Sequence, residues 1–430
     1  MSEASAVRQS TAARPNAGAL VVLYVVIFVG FVGYSLMIAV FTPMLLDAHS
    51  GFIAVNSPES RRTIILGFLL CLYPLGQFIG SPVLGALSDR FGRKPVLMVS
   101  LSATTFCYAL IASALSIASL KLLCAASFLA GLSEANIVTA QSAISDVIAP
   151  DDRNRYFGYI YMAVSAAYVV GPLAGGKLAD RALSQWFGYP TPFWAVFGLL
   201  VITVAGTSVL FAETRPSEAR REVSYFDAFS NLGSVLTETR LRHIYLINFL
   251  LYLAIFGFFR CYPMYLVDEY HLGVSKVSEF IAWVGVPIVV ANLWLTGELS
   301  RHYLARTLTT WSGMLTGIFM IVVTLPRPLN AAWMTLFLTS TALAICLPSC
   351  ATMLSLAASE DEQGRVMGNN QALQVGAEAL SGLVGGLLAS IVVKLSLRVL
   401  GAVAIGSALF LFSPMARHSP TEQPAPAPVR

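Results

Sequence analysis

Apolar runs of about 20 residues or more recur along almost the whole chain, and this repetition constrains the fold more than any single residue does. A helix of that length spans the hydrocarbon layer of roughly 30 Å, whereas the strands of a membrane barrel read as short alternating segments. The chain is therefore read as an all-α membrane protein. Composition agrees: 56% of the 430 residues are hydrophobic, 12% are charged and the mean hydropathy is +0.71. That leaves too few polar side chains to coat a water-soluble body of this size.

Several classes of function drop out. The 27 Lys and Arg are scattered with the 23 Asp and Glu through many short loops, with no basic stripe that could follow a phosphate backbone, so nucleic acid is not expected as a partner. All six cysteines lie within apolar runs and form no C-x-x-C pair, which indicates neither a disulfide framework nor a metal site. The sequence has no P-loop, no H-E-x-x-H and no G-x-S-x-G. Neither a cofactor nor an enzymatic activity is expected, and any work must draw on a gradient.

Breaks between apolar runs place spans near 18–46, 62–84, 95–117, 119–147, 157–179 and 192–212. A second set follows near 243–267, 276–298, 306–326, 331–358, 366–393 and 396–416. This arrangement predicts a leader over 1–17, a six-helix unit over 18–212, a linker over 213–242, a second six-helix unit over 243–416 and a disordered tail over 417–430. Lys and Arg collect in the loops on the side of the N-terminus, which puts both termini in the cytoplasm. Gly85, Leu87 and Ser88 recur as Gly297, Leu299 and Ser300 after the second span of the other half, an internal repeat that suggests two related units.

The loop running Gly85-Ala86-Leu87-Ser88-Asp89-Arg90-Phe91-Gly92-Arg93-Lys94-Pro95 is similar to the G-x-L-[AS]-D-R-x-G-R-[KR] signature of the major facilitator superfamily, in the position where that family has it. Leu72-Tyr73-Pro74-Leu75-Gly76-Gln77-Phe78 and Gly171-Pro172-Leu173-Ala174-Gly175-Gly176 resemble the drug:proton antiporters of that family, especially the tetracycline exporters. The resemblance is dense from about residue 62 to 180 and thin in the second half. It implies twelve transmembrane helices in two six-helix bundles, the major facilitator fold. In such proteins Asp89, with Arg90, Arg93 and Lys94 and the turn-forming Gly85 and Gly92, would latch the cytoplasmic side against the eleventh span. Gly171, Pro172, Gly175 and Gly176 would form the antiporter-type helix motif.

Of the acids, Glu134 and Glu378 fall near mid-span, where an ionised carboxylate costs roughly 2.5 to 3.5 kcal/mol, so each is a candidate for proton coupling. Glu134 shares one helical face with Ser127, Gly131 and Gln141, and the resemblance would aim that face at a central substrate cavity, making Glu134 the favoured proton carrier. Glu378 sits on a similar stripe with Asn370, Gln374 and Ser381, equally suited to an interhelical contact. Arg260, the only cation well inside a span, either snorkels to the outer headgroups or faces the cavity, where it could grip an anionic or zwitterionic substrate or pair with Glu134. Gln77, with Tyr73 and Ser81 at i±4, offers a hydrogen-bonding face. Substrate contacts are thus expected at Tyr73, Gln77, Ser127, Gln141 and Arg260.

Departures from the tetracycline exporters argue against tetracycline itself: Cys107 stands where they carry an acid in the third span, and no histidine lies inside a span. The expected function is proton-coupled efflux of a small amphiphilic compound by alternating access. The protein is expected to act as a monomer in the lipid bilayer of a bacterial inner membrane, with protons and a small molecule as partners. The alternatives are a proton symporter importing an anionic nutrient, an exporter of a carboxylate metabolite such as a siderophore, and a receptor that keeps the scaffold without transport.

Overall fold

The computed structural model describes residues 17–134, 136–148, 153–214, 241–325, 328–359 and 362–411. The expected leader apart from its last residue, the core of the expected linker and the expected tail lie outside the described residues. All regular structure among the described residues is helical. The first six helices are α1 (Ala17–Leu46), α2 (Glu59–Phe91), α3 (Arg93–Ser116), α4 (described as Leu120–Glu134 and Asn136–Val147), α5 (Arg153–Ala179) and α6 (Thr191–Leu210). The second six are α7 (Arg242–Tyr270), α8 (Val274–Val290, then a π turn over Ala291–Leu295 and a last segment Thr296–His302), α9 (Ala305–Val322), α10 (Leu329–Ala357), α11 (Gln363–Ala389) and α12 (Val393–Phe410).

Eleven of the twelve combine the length and hydropathy needed to cross a membrane; α9 is the exception. Its lower hydropathy comes from Arg306 and the Thr, Ser, Trp and Gly residues of its first half, but the hydroxyls among them are not left to the lipid. The hydroxyls of Thr309, Thr310 and Ser312 turn back onto the carbonyls of Ala305, Arg306 and Leu308, so groups that a hydropathy scale counts as water-seeking are satisfied inside the helix. Gly317 of α9 then packs directly on the Gly401 carbonyl of α12.

Each half is a six-helix bundle, and the halves meet chiefly along two helix pairs, with α1 also touching α7 and α8. In the first, Gly67 of α2 lies against Gly382 and Gly386 of α11, with a Cβ on Gly386 falling 2.7 Å from the Gly67 Cα. In the second, Gly176 of α5 lies against Ser278 and Val274 of α8. Lys177 Nζ, next in sequence, reaches Glu279 Oε1 at 2.6 Å and Ser275 Oγ at 2.8 Å. Small residues let these backbones approach where lipid tails offer no hydrophobic drive between helices. All these contacts lie toward the end of the molecule that carries the α1–α2, α5–α6 and α7–α8 turns. Toward the opposite end the halves diverge around a cavity.

One expectation is corrected. The segment 85–91 is not a loop but the last two turns of α2, and the chain breaks only at Gly92, whose φ of 103° suits glycine. Nothing from Gly85 to Phe91 interrupts a helix, and Ser88 Oγ bonds back to the Gly85 carbonyl at 2.8 Å. The repeat in the second half shares this geometry: Ser300 Oγ bonds to the Gly297 carbonyl at 2.9 Å inside the last segment of α8.

Because the crossing at Gly386 has backbone on both sides, Gly386→Val should destabilise the described arrangement by about 1–3 kcal/mol, seen as a melting temperature lower by several degrees in detergent. Gly206→Ala, where no atom lies within 4 Å of the place the added methyl would take, should leave it unchanged or slightly raised. Equal melting temperatures for Gly386→Val and the parent would show that this crossing does not hold the halves.

Candidate functional site

The cavity between the halves has a volume of about 2100 Å³, larger than the roughly 300–1,000 Å³ of a closed ligand pocket because one end is open. Its walls are mainly aromatic and aliphatic, including Phe31, Phe78, Tyr168, Phe256 and Phe259, with amides from Gln77, Gln141, Asn292 and Gln374 set among them. Asn292 belongs to the π turn of α8, which shifts the helical register where the helix faces the cavity.

At the narrow end three side chains from both halves converge. Arg260 of α7 is 1% exposed, and its Nη2 lies 3.3 Å from Oε1 of Glu378 on α11. The Tyr34 hydroxyl of α1 donates to the same Glu378 oxygen and accepts from Arg260 Nη2. The Arg260 Cζ also sits 5.5 Å from the centre of the Tyr34 ring, within the range of a cation–π contact. Gly385, two turns beyond Glu378, leaves room for Cys261 and for the Arg260 stem, which brings α7 and α11 close enough for the pair. Arg260 therefore does not snorkel, and its carboxylate partner is Glu378 rather than Glu134. Its Nε and Nη1 are buried and have no hydrogen-bond partner, although Arg260 lines the cavity.

Glu134 occupies a separate compartment. It is 1% exposed and absent from the cavity wall, against the expectation that α4 aims it at substrate. The Tyr73 hydroxyl donates to Glu134 Oε2, the Tyr108 hydroxyl lies 3.5 Å from the same oxygen, and Oε1 is buried without a partner. The cause is close packing of α4 on α2: Gly131 lies on the Tyr73 carbonyl, and Gly76 and Gly80 lie on the α4 backbone at 128–132. That contact consumes the part of the polar face of α4 around Gly131. Gly30 of α1 closes over Glu134 from the other side. Ser127 is buried on the same helix with an unpartnered hydroxyl, while Gln141, two turns beyond Glu134, reaches the cavity.

Of the sequence candidates, the structure thus brings Gln77, Gln141, Arg260 and Glu378 to the cavity and holds Tyr73, Ser127 and Glu134 behind it. A residue not singled out, Tyr34, joins the two groups. Its ring stacks on Tyr73 with centroids 4.7 Å apart and planes at 18°. The signal that could have pointed to it is Gly30 and Gly33 one helical turn apart on α1, which leave space for Glu134 and for the Tyr108 hydroxyl beside it.

The charge cluster at the end of α2 makes contacts within its own half. Arg93 reaches Asp89 at 2.9 Å and Asp146 of α4 at 2.8 Å, and donates to Ser88 Oγ at 2.6 Å. Glu213 caps the start of α3 by accepting from the backbone N–H groups of Arg93 and Lys94, at 2.9 and 3.1 Å. Arg90 stacks over Phe91. In the second half the acid has moved three residues: Glu298 pairs with Arg301 at 3.1 Å. In α5, Gly171 lies against Val32 and Ser35 and Gly175 against Leu36 of α1, while Gly176 faces α8; Pro172 sits among them within the helix.

Twelve helices in two bundles around a central cavity, with a charge cluster at the end of α2, match one family. Residues 23–376 fit the Major Facilitator Superfamily. The chain belongs to that family. It is similar to the class C tetracycline resistance protein of Escherichia coli, 27% identical over 399 residues that cover 91% of this chain and 94% of the relative. In fold it resembles the human organic anion transporter MFSD10 (TETRAN), with a TM-score of 0.67 and 18% identity over 92% of this chain and 99% of that one. It also resembles a D-xylose–proton symporter, with a TM-score of 0.71 and 14% identity over 92% and 98%. The protein is accordingly a membrane transporter and not an enzyme.

Removing one partner of a buried ion pair strands the other. Arg260→Ala should therefore cost about 3–5 kcal/mol, while Arg260→Ala combined with Glu378→Ala should recover part of that loss, read as melting temperatures of purified protein. Strict additivity of the two losses would show that the pair is not coupled.

Proposed function

We propose that this transporter couples protons to the efflux of a small amphiphilic compound by alternating access, with Glu378 as the acid that cavity water reaches. The observation that carries the reading is the Arg260–Glu378 pair at the closed end of an aromatic, amide-studded cavity, bridged to the other half by Tyr34. A carboxyl group placed there can exchange its proton with the cavity, and its charge bears on a contact between the halves. Efflux as the direction draws on the tetracycline resistance relative. The departures in the third span remain an argument against tetracycline as the cargo. For each charge moved down about 100 mV the field supplies roughly 2.3 kcal/mol, enough for about a forty-fold gradient of a neutral solute.

In this reading the wide end of the cavity faces the cytoplasm and both termini lie on the cytoplasmic side of a bacterial inner membrane, an orientation that the distribution of Lys and Arg supports. Cargo enters there and rests among Gln77, Gln141 and the aromatic wall. Rocking of the α1–α6 bundle against the α7–α12 bundle then opens the α2–α11 and α5–α8 contacts and closes the wide end. Glu134, enclosed by α1, α2 and α4, serves as a second acid that gains a water path only in another arrangement. The Asp89–Arg93–Asp146 cluster holds the end of α2 to α4 while the wide end is open, and engages α11 when it shuts. The functional unit is a monomer.

One observation favours a second reading, in which the cargo carries a carboxylate. Arg260 lines the cavity with N–H donors on Nε and Nη1 still unpartnered, which an anionic group could take up, and a structural neighbour is named an organic anion transporter. Import of an anionic nutrient with a proton, or export of a carboxylate metabolite, would use this contact.

Everted vesicles with a fluorescent pH reporter test the proposal. A panel of neutral, cationic and carboxylate-bearing amphiphiles is added singly to energised vesicles. At least one class should release protons, and Glu378→Gln should lower that response by about tenfold or more. A full response in Glu378→Gln, with equal expression, would remove Glu378 from the coupling.

A further inference from the structure

Resting on the reading of Glu378 as the coupling acid, we propose that Tyr34 is the positioning residue that ties the proton on Glu378 to the separation of the two halves. Tyr34 is 5% exposed on α1, yet both groups that its hydroxyl touches, Glu378 Oε1 and Arg260 Nη2, belong to the other half. Its ring is held from two sides, by the stacked Tyr73 ring and by the Arg260 guanidinium. The hydroxyl therefore has one place to point.

The strength of that contact depends on the charge it meets. A hydroxyl bound to a carboxylate is roughly twice as strongly held as one bound to a neutral acid. A proton arriving from cavity water on Glu378 converts the first case into the second and removes the counter-charge of Arg260, while Tyr34 keeps its own proton. The ionisable groups around Glu378 are Arg260 and Cys261 from α7, Tyr34 from α1, Cys71 and Tyr73 from α2 and Tyr168 from α5. Of these side-chain types only a carboxyl group ordinarily titrates below neutral pH. Ionised Glu378 thus clasps the halves in the cavity-open arrangement, and protonated Glu378 releases them.

The test reads the arrangement directly. Thr352 of α10 is exposed and lines the wide part of the cavity, whereas five of the six native cysteines are buried and Cys124 is half-buried. In purified Thr352→Cys protein, alkylation by a charged maleimide is followed from mildly alkaline to mildly acidic pH, relative to the same protein unfolded. The relative rate should fall by about threefold or more on acidification as the cavity closes. Adding Tyr34→Phe, which keeps the ring and removes the hydroxyl, should flatten this dependence. Glu378→Gln should hold the rate near its acidic level at every pH. Tyr73→Phe, which leaves both bonds of the Tyr34 hydroxyl in place, should keep the parent slope.

An unchanged slope in Tyr34→Phe, a parent rate indifferent to pH, or a slope lost in Tyr73→Phe would each overturn the proposal. If Tyr34→Phe does not fold, Tyr34→Leu or Tyr34→Met, which also remove the hydroxyl, are read in the same way, a slope equal to that of the parent overturning the proposal. A clear slope together with no cargo-triggered proton release in vesicles would leave the clasp standing and refute the coupled-efflux reading instead.

Discussion

A guanidinium group almost wholly buried in the middle of a membrane must be answered by acceptors close at hand, because the lipid around it supplies none. Arg260 is answered by Glu378 from its own half and by Tyr34 from the other. This one requirement links three helices, α1, α7 and α11, at the closed end of the cavity, and it makes the relation between the halves sensitive to a single charge. Breaking the contact without replacing it leaves an uncompensated ion, so the cluster favours discrete arrangements over gradual drift. Glycine crossings at Gly67, Gly382 and Gly386 let α2 and α11 come close enough for the polar cluster to form beside them.

The two mid-membrane acids differ in surroundings more than in depth. Glu134 sits where α1, α2 and α4 pack on glycine, with one oxygen unpartnered and the other held by Tyr73. Glu378 sits at the cavity wall in an ion pair. The Tyr34–Tyr73 stack spans the gap between them. A family with many cargoes on one scaffold can vary such local surroundings while the crossings between bundles stay the same, which is why the fold says little about cargo and the side chains at the cavity's end say more.

The helices were legible because length and hydropathy answer directly to bilayer thickness, and even α9, the least apolar of them, was marked by the breaks on either side of it. The charged turn was legible as a motif but not as helix, since glycine at 85 and 92 reads the same in sequence and only Gly92 takes a positive φ. The mid-span acids were legible as exceptions to composition. Their neighbours were not: helical periodicity groups Ser127, Gly131 and Glu134 on one face but does not say which neighbour that face meets. Glycines on α2 turned it into a helix contact. The carboxylate that answers Arg260 lies more than a hundred positions away along the chain, and Tyr34 lies in an uncharged first span with nothing to set it apart from the other hydroxyls there.

Infrared difference spectroscopy of the purified protein, taken between mildly alkaline and mildly acidic pH, reports directly which buried carboxyl group changes its charge. Protonation at the cluster predicts a neutral-carboxyl band that grows on acidification, vanishes in Glu378→Gln and persists in Glu134→Gln. A band that survives the loss of Glu378 and disappears with Glu134 would contradict it, and would move the proton to the enclosed acid of the first half.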